Sequence, residues 1–391
     1  MKSIKVEKDL SNKKILLRLD LNVPLDNGKI TDTTRIDKII PTLKFLIAQN
    51  AKIIIISHVG RPKGKVVNEL SLKPICDDLI KKLNQNIKLI SKNVKKINKE
   101  ELVNNNKEIV MLENIRFYPE EERNNPEFAK HLASLADIYV NDAFSCSHRA
   151  HASIHEVTNF LPSYSGLQLD LEVNALKKIT SEIKKPVTCI VGGSKVSTKI
   201  NIIKNLIPKF DNIIIVGGMA NNIIKYMGNN IGKSIHEENS NSIVEEIFLL
   251  SKKENCKIIY PEDVVVAKDF NGSPSNKELN QVNSDDMILD IGPKTIGKIK
   301  QTINSSKTIL WNGPAGYFEN PNFAEGSKQI AKKIIEKNMS KEIYSVAGGG
   351  DTVSLINNLN GIAKFNFVST AGGAFLEYLE GKELPGIKVL N

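Results

Sequence analysis

The sequence predicts an α/β protein of two doubly wound parallel-sheet domains joined by a helical hinge, with a cleft between them. Three observations predict it. Short, nearly continuous apolar runs alternate with longer amphipathic stretches, the pattern of strands buried on both faces and wrapped by helices. The alternation comes in two series, separated by a polar-flanked helical stretch that ends at Pro186. The chemically unusual residues gather just after the apolar runs, where open parallel sheets bind ligands.

In chain order, the first series of strands is expected at 14–19, 52–57, 87–90, 108–112 and 137–140. The second is expected at 187–191, 212–216, 257–260, 287–291, 308–311, 343–347 and 365–369. Helical patterns lie between them, at 33–49, 72–83, 195–207, 241–253 and 323–337. A boundary falls within 167–185, because a proline disfavours helix at the residue before it. No repeat of fixed period and no low-complexity segment interrupts this order.

Composition sets the outer limits. A chain of 391 residues with 41% hydrophobic and 25% charged residues buries sizeable cores and is not disordered. The longest aliphatic run, 53–56, is far short of a membrane span. The charged first residues do not read as a secretory signal. Cys76, Cys146, Cys189 and Cys256 form no CxxC pair, so a zinc knuckle or redox pair is not indicated and a reducing cytoplasm fits best. The net charge of +10, from 54 basic against 44 acidic residues, favours an anionic partner without naming it.

Arginine usage narrows the choice. Only six basic residues are arginines: Arg18, Arg35, Arg61, Arg116, Arg123 and Arg149, all before residue 150. In a chain biased toward Lys, Ile and Asn, arginine persists where lysine cannot replace it, at planar bidentate sites for carboxylate or phosphate. Chance clustering is the bland alternative, and Arg123 reads as an ordinary surface charge. The other five sit in segments dense with His, Asp, Asn and Gly. Four loops after the first-series strands supply Arg18, Arg61, Arg116, Arg149, His58, His148 and His151, and Arg35 opens the first long helix. Convergence on one rim predicts a basic pocket for a small, highly anionic ligand.

The second half carries glycine clusters after strands, at 192–193, 217–218, 313–316, 348–350 and 372–373. Glycine lets backbone approach a ligand, and the following helix aims free N–H groups at it. A single such pair is most simply turn geometry. Their recurrence along one rim predicts nucleotide binding. Lys195 and Lys199 are expected on one helical face, both reaching one phosphate. Asp351, just after a glycine turn, is a candidate to hold Mg²⁺ on nucleotide oxygens. Residues 226–234 resemble a Walker A loop but are one residue short between glycines. No GxGxxG follows a strand, and no HExxH or GxSxG occurs.

Taken together, the motifs resemble those of the phosphoglycerate kinase family, in family order and over essentially the whole chain. They are Asp20-Leu-Asn22, His58-Val-Gly-Arg-Pro62, Leu112-Glu-Asn-Ile-Arg-Phe117, Asp142-Ala-Phe144 with His148-Arg-Ala-His-Ala-Ser153, Gly192-Gly-Ser-Lys-Val-Ser-Thr-Lys199, Trp311-Asn-Gly-Pro314 and Gly348-Gly-Gly-Asp-Thr352. The resemblance implies that Asp20, Asn22, Arg35, His58, Val59, Gly60, Arg61, Arg116 and Arg149 hold 3-phosphoglycerate. It implies that Lys199, Glu319, Gly349, Gly350, Asp351 and Thr352 hold ATP or ADP, with Asp351 near Mg²⁺. The implied layout is an acid-binding domain over 1–170, a nucleotide-binding domain over 171–380 that begins with the interdomain helix, and a tail, 381–391, returning to the first domain. Ala371, Ala315, Tyr317, Asn221 and Asn222 depart from the usual pattern around the nucleotide, away from the phosphoryl path.

The implied reaction is phosphoryl exchange between 1,3-bisphosphoglycerate and ADP, in glycolysis, by a cytoplasmic monomer. A carboxylate nucleophile is ionised at neutral pH, so no general base is needed. Arg35, Lys195 and Lys199 are expected to stabilise the transferring group, helped by helix N-termini near Gly349 and Gly372. Acceptor and donor on different domains require closure. Two other readings remain: a nucleotide-dependent kinase of another phosphorylated acid, and a basic nucleic-acid binder. The second fits poorly with 6% aromatics and a basic excess spread over lysine-rich helices.

Overall fold

In the computed structural model of the chain, residues 1–102 and 109–391 are described. They form two compact units, Met1–Val173 with Glu383–Asn391, and Asn174–Lys382.

The first unit is built on a six-stranded sheet. Its strands are β1 (Lys14–Leu19), β2 (Lys52–Ile56), β3 (Ile87–Ile90), β4 (Ile109–Leu112), β5 (Ile138–Asp142) and β6 (Ser163–Ser165). They lie in the order β3-β4-β2-β1-β5-β6, all parallel. Residue 108, the expected start of β4, lies outside the described residues. Ser57, expected to end β2, leaves the ladder. Its hydroxyl donates to the Leu19 carbonyl at 2.7 Å and accepts the Leu21 N–H at 3.2 Å, pinning the start of the loop that follows.

Strand parity divides the unit's core in two. Ile15, Leu17, Leu19, Ile53 and Ile55 pack with Ile36, Ile39, Leu43 and Leu46 of α1 (Thr34–Ala48) and with Ile75 and Leu79 of α2 (Lys73–Leu83). Leu16, Ile54 and Ile56 pack with Phe128, Ala129 and Leu132 of α3 (Pro126–Ser134). Each buried Leu or Ile contributes about 1.5–3 kcal/mol of transfer free energy, so the aliphatic alternation holds both faces covered. The chain crosses from the first unit to the second within α4 (Leu167–Thr180).

The second unit holds another six-stranded parallel sheet. Its strands are β7 (Val187–Val191), β8 (Asn212–Ile215), β9 (Lys257–Ile259), β13 (Thr308–Asn312), β14 (Tyr344–Gly348) and β15 (Phe367–Ser369), in the order β9-β8-β7-β13-β14-β15. On one face, Ile190, Ile309, Trp311 and Ala347 pack with α8 (Pro293–Ser305), α9 (Glu325–Met339) and α10 (Gly350–Asn358). Strand residues of opposite parity, such as Cys189, Ile213, Leu310 and Val346, are equally buried. The remaining helices are α5 (Ile200–Leu206), α6 (Gly218–Tyr226), α7 (Asn241–Lys253) and α11 (Gly373–Leu379).

One strand is corrected. β12 (Met287–Ile291) does not join the parallel series. It pairs antiparallel with β10 (Asp263–Ala267), which also pairs with β11 (Ser275–Glu278). Its apolar run satisfies any sheet, and the partner choice is made by β10, hidden in the sequence behind Pro261. Among the described residues, no helix is long and apolar enough to cross a membrane.

Candidate active site

Because β1, β2, β4 and β5 run parallel, the loops after them open on one edge of the first sheet. Arg35, in the first turn of α1, donates from Nη1 to Asp20 Oδ1 at 3.0 Å. The Asn22 side-chain oxygen accepts the Gly60 N–H at 2.9 Å, and Arg116 Nη1 donates to the Gly60 carbonyl at 3.1 Å. The Gly60 peptide is thus gripped from two loops. Its φ of +67° and the closeness of the Leu70 side chain reserve the position for glycine. Val59 is buried, and its carbonyl accepts from Asn114 Nδ2 at 2.8 Å. Arg149 and Arg61 are exposed, with Arg149 Nε bonded to His148 Nε2 at 3.1 Å.

Electrostatics tie the loops into one neighbourhood. Burial, then the positive charge of Arg18 and Arg116, and further that of His151 and Arg35, holds the His58 imidazole well below its ordinary pKa. His151 is pushed down to about 3 by burial, then by Arg116, Arg18 and Arg149. Both rings are therefore neutral at pH 7, and the fixed charges are guanidinium groups. All six arginines belong to the first unit.

Arg18 corrects the expectation that every loop arginine faces the ligand. Its side chain is fully buried, inside β1 rather than after it. It donates from Nη1 to the Leu19 carbonyl at 2.6 Å, from Nε to Ser153 Oγ at 3.0 Å, and from Nη2 toward His58 Nδ1 at 3.0 Å. Ser153 in turn donates to the buried Glu121 carboxylate through its N–H (2.9 Å) and its hydroxyl (2.6 Å). Glu121 was not singled out by sequence, since a Glu in a run of acidic residues carries no local sign of burial, and Ser153 entered only as the end of a motif, with no role of its own.

In the second unit the glycine clusters again follow strands at one sheet edge. Gly192 and Gly313 approach so closely that a Cβ on either would strike the other turn's backbone at about 2.1 Å. The Gly313 N–H donates to Thr352 Oγ1 at 2.7 Å, and Asn312 Nδ2 donates to the Gly348 carbonyl at 2.7 Å. These bonds lace the turns after β7, β13 and β14 together. A cavity of about 230 Å³ opens beside them. Ile235, Val264, Leu289, Tyr317 and Phe318 line it together with Gly193, Gly218, Glu319 and Asp351. Phe270 and Tyr317, both lining it, meet edge-on at 5.0 Å.

The two lysines depart from expectation. Residues 195–199 form an irregular turn, and α5 begins only at Ile200, so Lys195 and Lys199 do not share a helical face. Ser197 explains the delay: its N–H and hydroxyl both donate to Glu237, holding the segment off the helical path. Lys195 is exposed. The Lys199 ammonium, depressed by burial although Cys189 and Asp351 oppose the shift, donates to the Asn312 side-chain oxygen. Asn312, missed as a site residue, thereby links Lys199 to the Gly348 turn.

Gly349, with φ +96°, caps α10, placing Gly350, Asp351 and Thr352 in its first turn. Asp351 is exposed and Thr352 buried. Gly372 caps α11, which has only seven residues. Among the described residues, no cluster of three or more His, Cys, Asp or Glu forms a metal cage. Two exposed carboxylates, Asp351 and Glu319, line the cavity, which fits Mg²⁺, a cation that typically takes one or two carboxylates plus substrate phosphates.

A family model described as Phosphoglycerate kinase matches residues 5–382. A phosphoglycerate kinase of Wolbachia pipientis is 46% identical over 386 residues, covering 98% of this chain and 97% of that protein. One from Dictyoglomus turgidum is 45% identical over 388 residues, covering 98% of this chain and 97% of that protein. The solved structure of phosphoglycerate kinase from Coxiella burnetii superposes with a TM-score of 0.92 at 40% identity, over 99% of this chain and 98% of that one. With a family model over nearly the whole chain and relatives at 45–46% identity along almost their full length, the chain belongs to the phosphoglycerate kinase family.

Proposed function

We propose that the arginine-lined edge of the first unit binds 3-phosphoglycerate or 1,3-bisphosphoglycerate, and that the cavity of the second binds ADP or ATP with Mg²⁺. The enzyme class, a phosphotransferase with a carboxyl group as acceptor, follows from the family. The observation that carries the residue assignments is the pairing of two unlike anion sites in one chain. One has guanidinium charges beside neutral imidazoles; the other has backbone turns, a half-buried lysine and a cavity lined in part by apolar side chains.

The roles follow from the chemistry. Arg35, Arg116, Arg149 and Arg61 neutralise the acid's phosphate and carboxylate, with Asp20 and Asn22 orienting Arg35 and the Gly60 loop. Lys199, held by Asn312, bears on the transferring phosphoryl group, and the N–H groups that open α10 at Gly349 add to it. Glu319 and Asp351 lie on the polar rim of the nucleotide cavity. Mg²⁺, held by Asp351 and phosphate oxygens, supplies charge neutralisation when bound. In-line transfer demands contact between the two ligands, so the reaction proceeds through domain closure, which also keeps water from the acyl phosphate. The protein is read as a cytoplasmic monomer on small molecules; its four buried free thiols support a reducing compartment.

A coupled turnover assay with ATP and 3-phosphoglycerate, with and without Mg²⁺, tests this directly. Turnover requiring all three is expected. Activity on another phosphorylated acid with none on 3-phosphoglycerate would overturn the substrate assignment.

A further inference from the structure

We propose that Arg18 is a positioning residue for the acid-binding site: it fixes His58 in a single tautomer, so that the imidazole offers an anionic ligand an Nε2–H donor. Its bearing on substrate rests on the assignment of His58 to the 3-phosphoglycerate site.

The argument is one of hydrogen-bond direction. A guanidinium has five N–H donors and no acceptor. Arg18 Nη2 lies 3.0 Å from His58 Nδ1. Nδ1 must therefore present its lone pair, because a proton there would set N–H against N–H. The same contact forbids the doubly protonated ring. The remaining proton of neutral His58 sits on Nε2.

The arginine is unable to turn away. Leu19 and Ser153 hold its other nitrogens at 2.6 and 3.0 Å, and no part of it reaches solvent. Direction also propagates outward from it. Since Ser153 Oγ accepts from Arg18, its own proton goes to Glu121, which lies buried and accepts both Ser153 donors. Tyr139 adds a 2.6 Å bond from its hydroxyl to the Ser153 carbonyl. Donation thus runs out from Arg18 in two directions, through Ser153 to Glu121 and directly to His58 Nδ1.

The other groups bearing on His58 act in the same sense or too weakly to compete. Arg116, Arg35 and His151 all disfavour a second proton on the ring. The Cys146 sulfur stands 4.0 Å from Nδ1 and 3.8 Å from Arg18 Nη2, a weak partner for either. His58 consequently stays neutral through neutral pH and serves as a directional donor.

The test is two-bond ¹H–¹⁵N correlation on the full-length protein with labelled histidine, from about pH 5.5 to 8.5. The His58 signal is identified by its loss in His58→Gln. One ring with protonated Nε2 and bare Nδ1, unchanged across the range, is expected. A His58 that titrates there, or carries its proton on Nδ1, overturns the proposal. Adding 3-phosphoglycerate is expected to shift the Nε2 resonance. An intact tautomer whose Nε2 ignores this ligand, in a protein that turns it over, overturns the role in substrate binding. An intact tautomer in a protein without turnover counts instead against the functional reading. In Arg18→Gln, the KM for 3-phosphoglycerate is expected to rise about tenfold at pH 8, the worth of a charged hydrogen bond. The kcat is expected to stay within about threefold. An unchanged KM would overturn the positioning role; if the variant does not fold, the spectra of the unmodified protein decide alone.

Discussion

Single residues divide here between charges that work on ligands and charges that hold the protein together. Arg35 is placed on Asp20 by one fork of its guanidinium. In Arg35→Lys the charge stays and the planar fork goes, so kcat should fall about tenfold to a hundredfold with little change in melting temperature. Turnover near the unmodified value in steady-state kinetics would refute the role. Lys199→Ala should weaken nucleotide binding about tenfold or more, read as a raised KM and by calorimetry with ATP. Unchanged ATP affinity would remove it from the site. His151 makes a stability prediction. Folding lowers its pKa from 6.5 to about 3. Below pH 6.5 the unfolded chain binds a proton the folded one refuses, so stability is lost as pH falls through that window. In His151→Asn, the loss between pH 7 and pH 5 should shrink by about 1–2 kcal/mol in urea unfolding. The rare arginines were readable in the sequence because lysine is the default cation of this chain. The inward turn of Arg18 was not, because its ligand-like neighbours hid that it still lies inside the buried strand β1. Lys199 meeting Asn312 was not, because a contact across 113 positions depends on the sheet order.

At the level of elements, most parallel strands announced themselves through continuous Ile and Val runs, and most observed limits fall within two residues of those expected; the polar β6 (Ser163–Ser165) was not expected. β12 lies where expected, but its antiparallel pairing with β10, and the strands β10 and β11 themselves, were not foreseen. β11 (Ser275–Glu278) is a polar, largely exposed strand with no apolar signature, so its pairing is decided by β10 alone. The start of α5 was misjudged for a related reason: helical periodicity ran on through residues whose side chains bond Glu237 instead. The start of α10 gives a sharper test. Gly349 combines φ +96° with a Cβ position 2.7 Å from Asn312 Nδ2, the side chain that holds Lys199. Gly349→Ala should destabilise the protein by about 1–3 kcal/mol. It should also raise the nucleotide KM, because the displaced Asn312 carries Lys199 with it. A lowered melting temperature with unchanged nucleotide affinity would separate α10 from the site.

The molecule as a whole joins chain segments far apart in sequence. Residues 383–391 belong with the first unit, where the Gly386 N–H donates to the Ser147 carbonyl at 2.8 Å. The buried amide of Asn141 donates to the Gly386 carbonyl at 3.2 Å. A Cβ at Gly386 would meet Ile154 and Ser147 at under about 3 Å, so this is a fitted contact. Ser147 lies in the loop that carries His148, Arg149 and His151. Truncation after Lys382 should therefore lower the first unit's unfolding midpoint and raise the KM for 3-phosphoglycerate several-fold, leaving ATP affinity intact. An unchanged KM in the truncated protein would show that the loop stands without it. The allocation of guanidinium groups has a practical outcome at this same scale. A dicarbonyl reagent that condenses with arginine and spares lysine modifies one half of the molecule and leaves the other chemically silent. Within that half Arg18 is sealed from solvent. Inactivation by such a reagent therefore reports on the outward-facing arginines alone, slowed by the three-carbon acid and indifferent to the nucleotide.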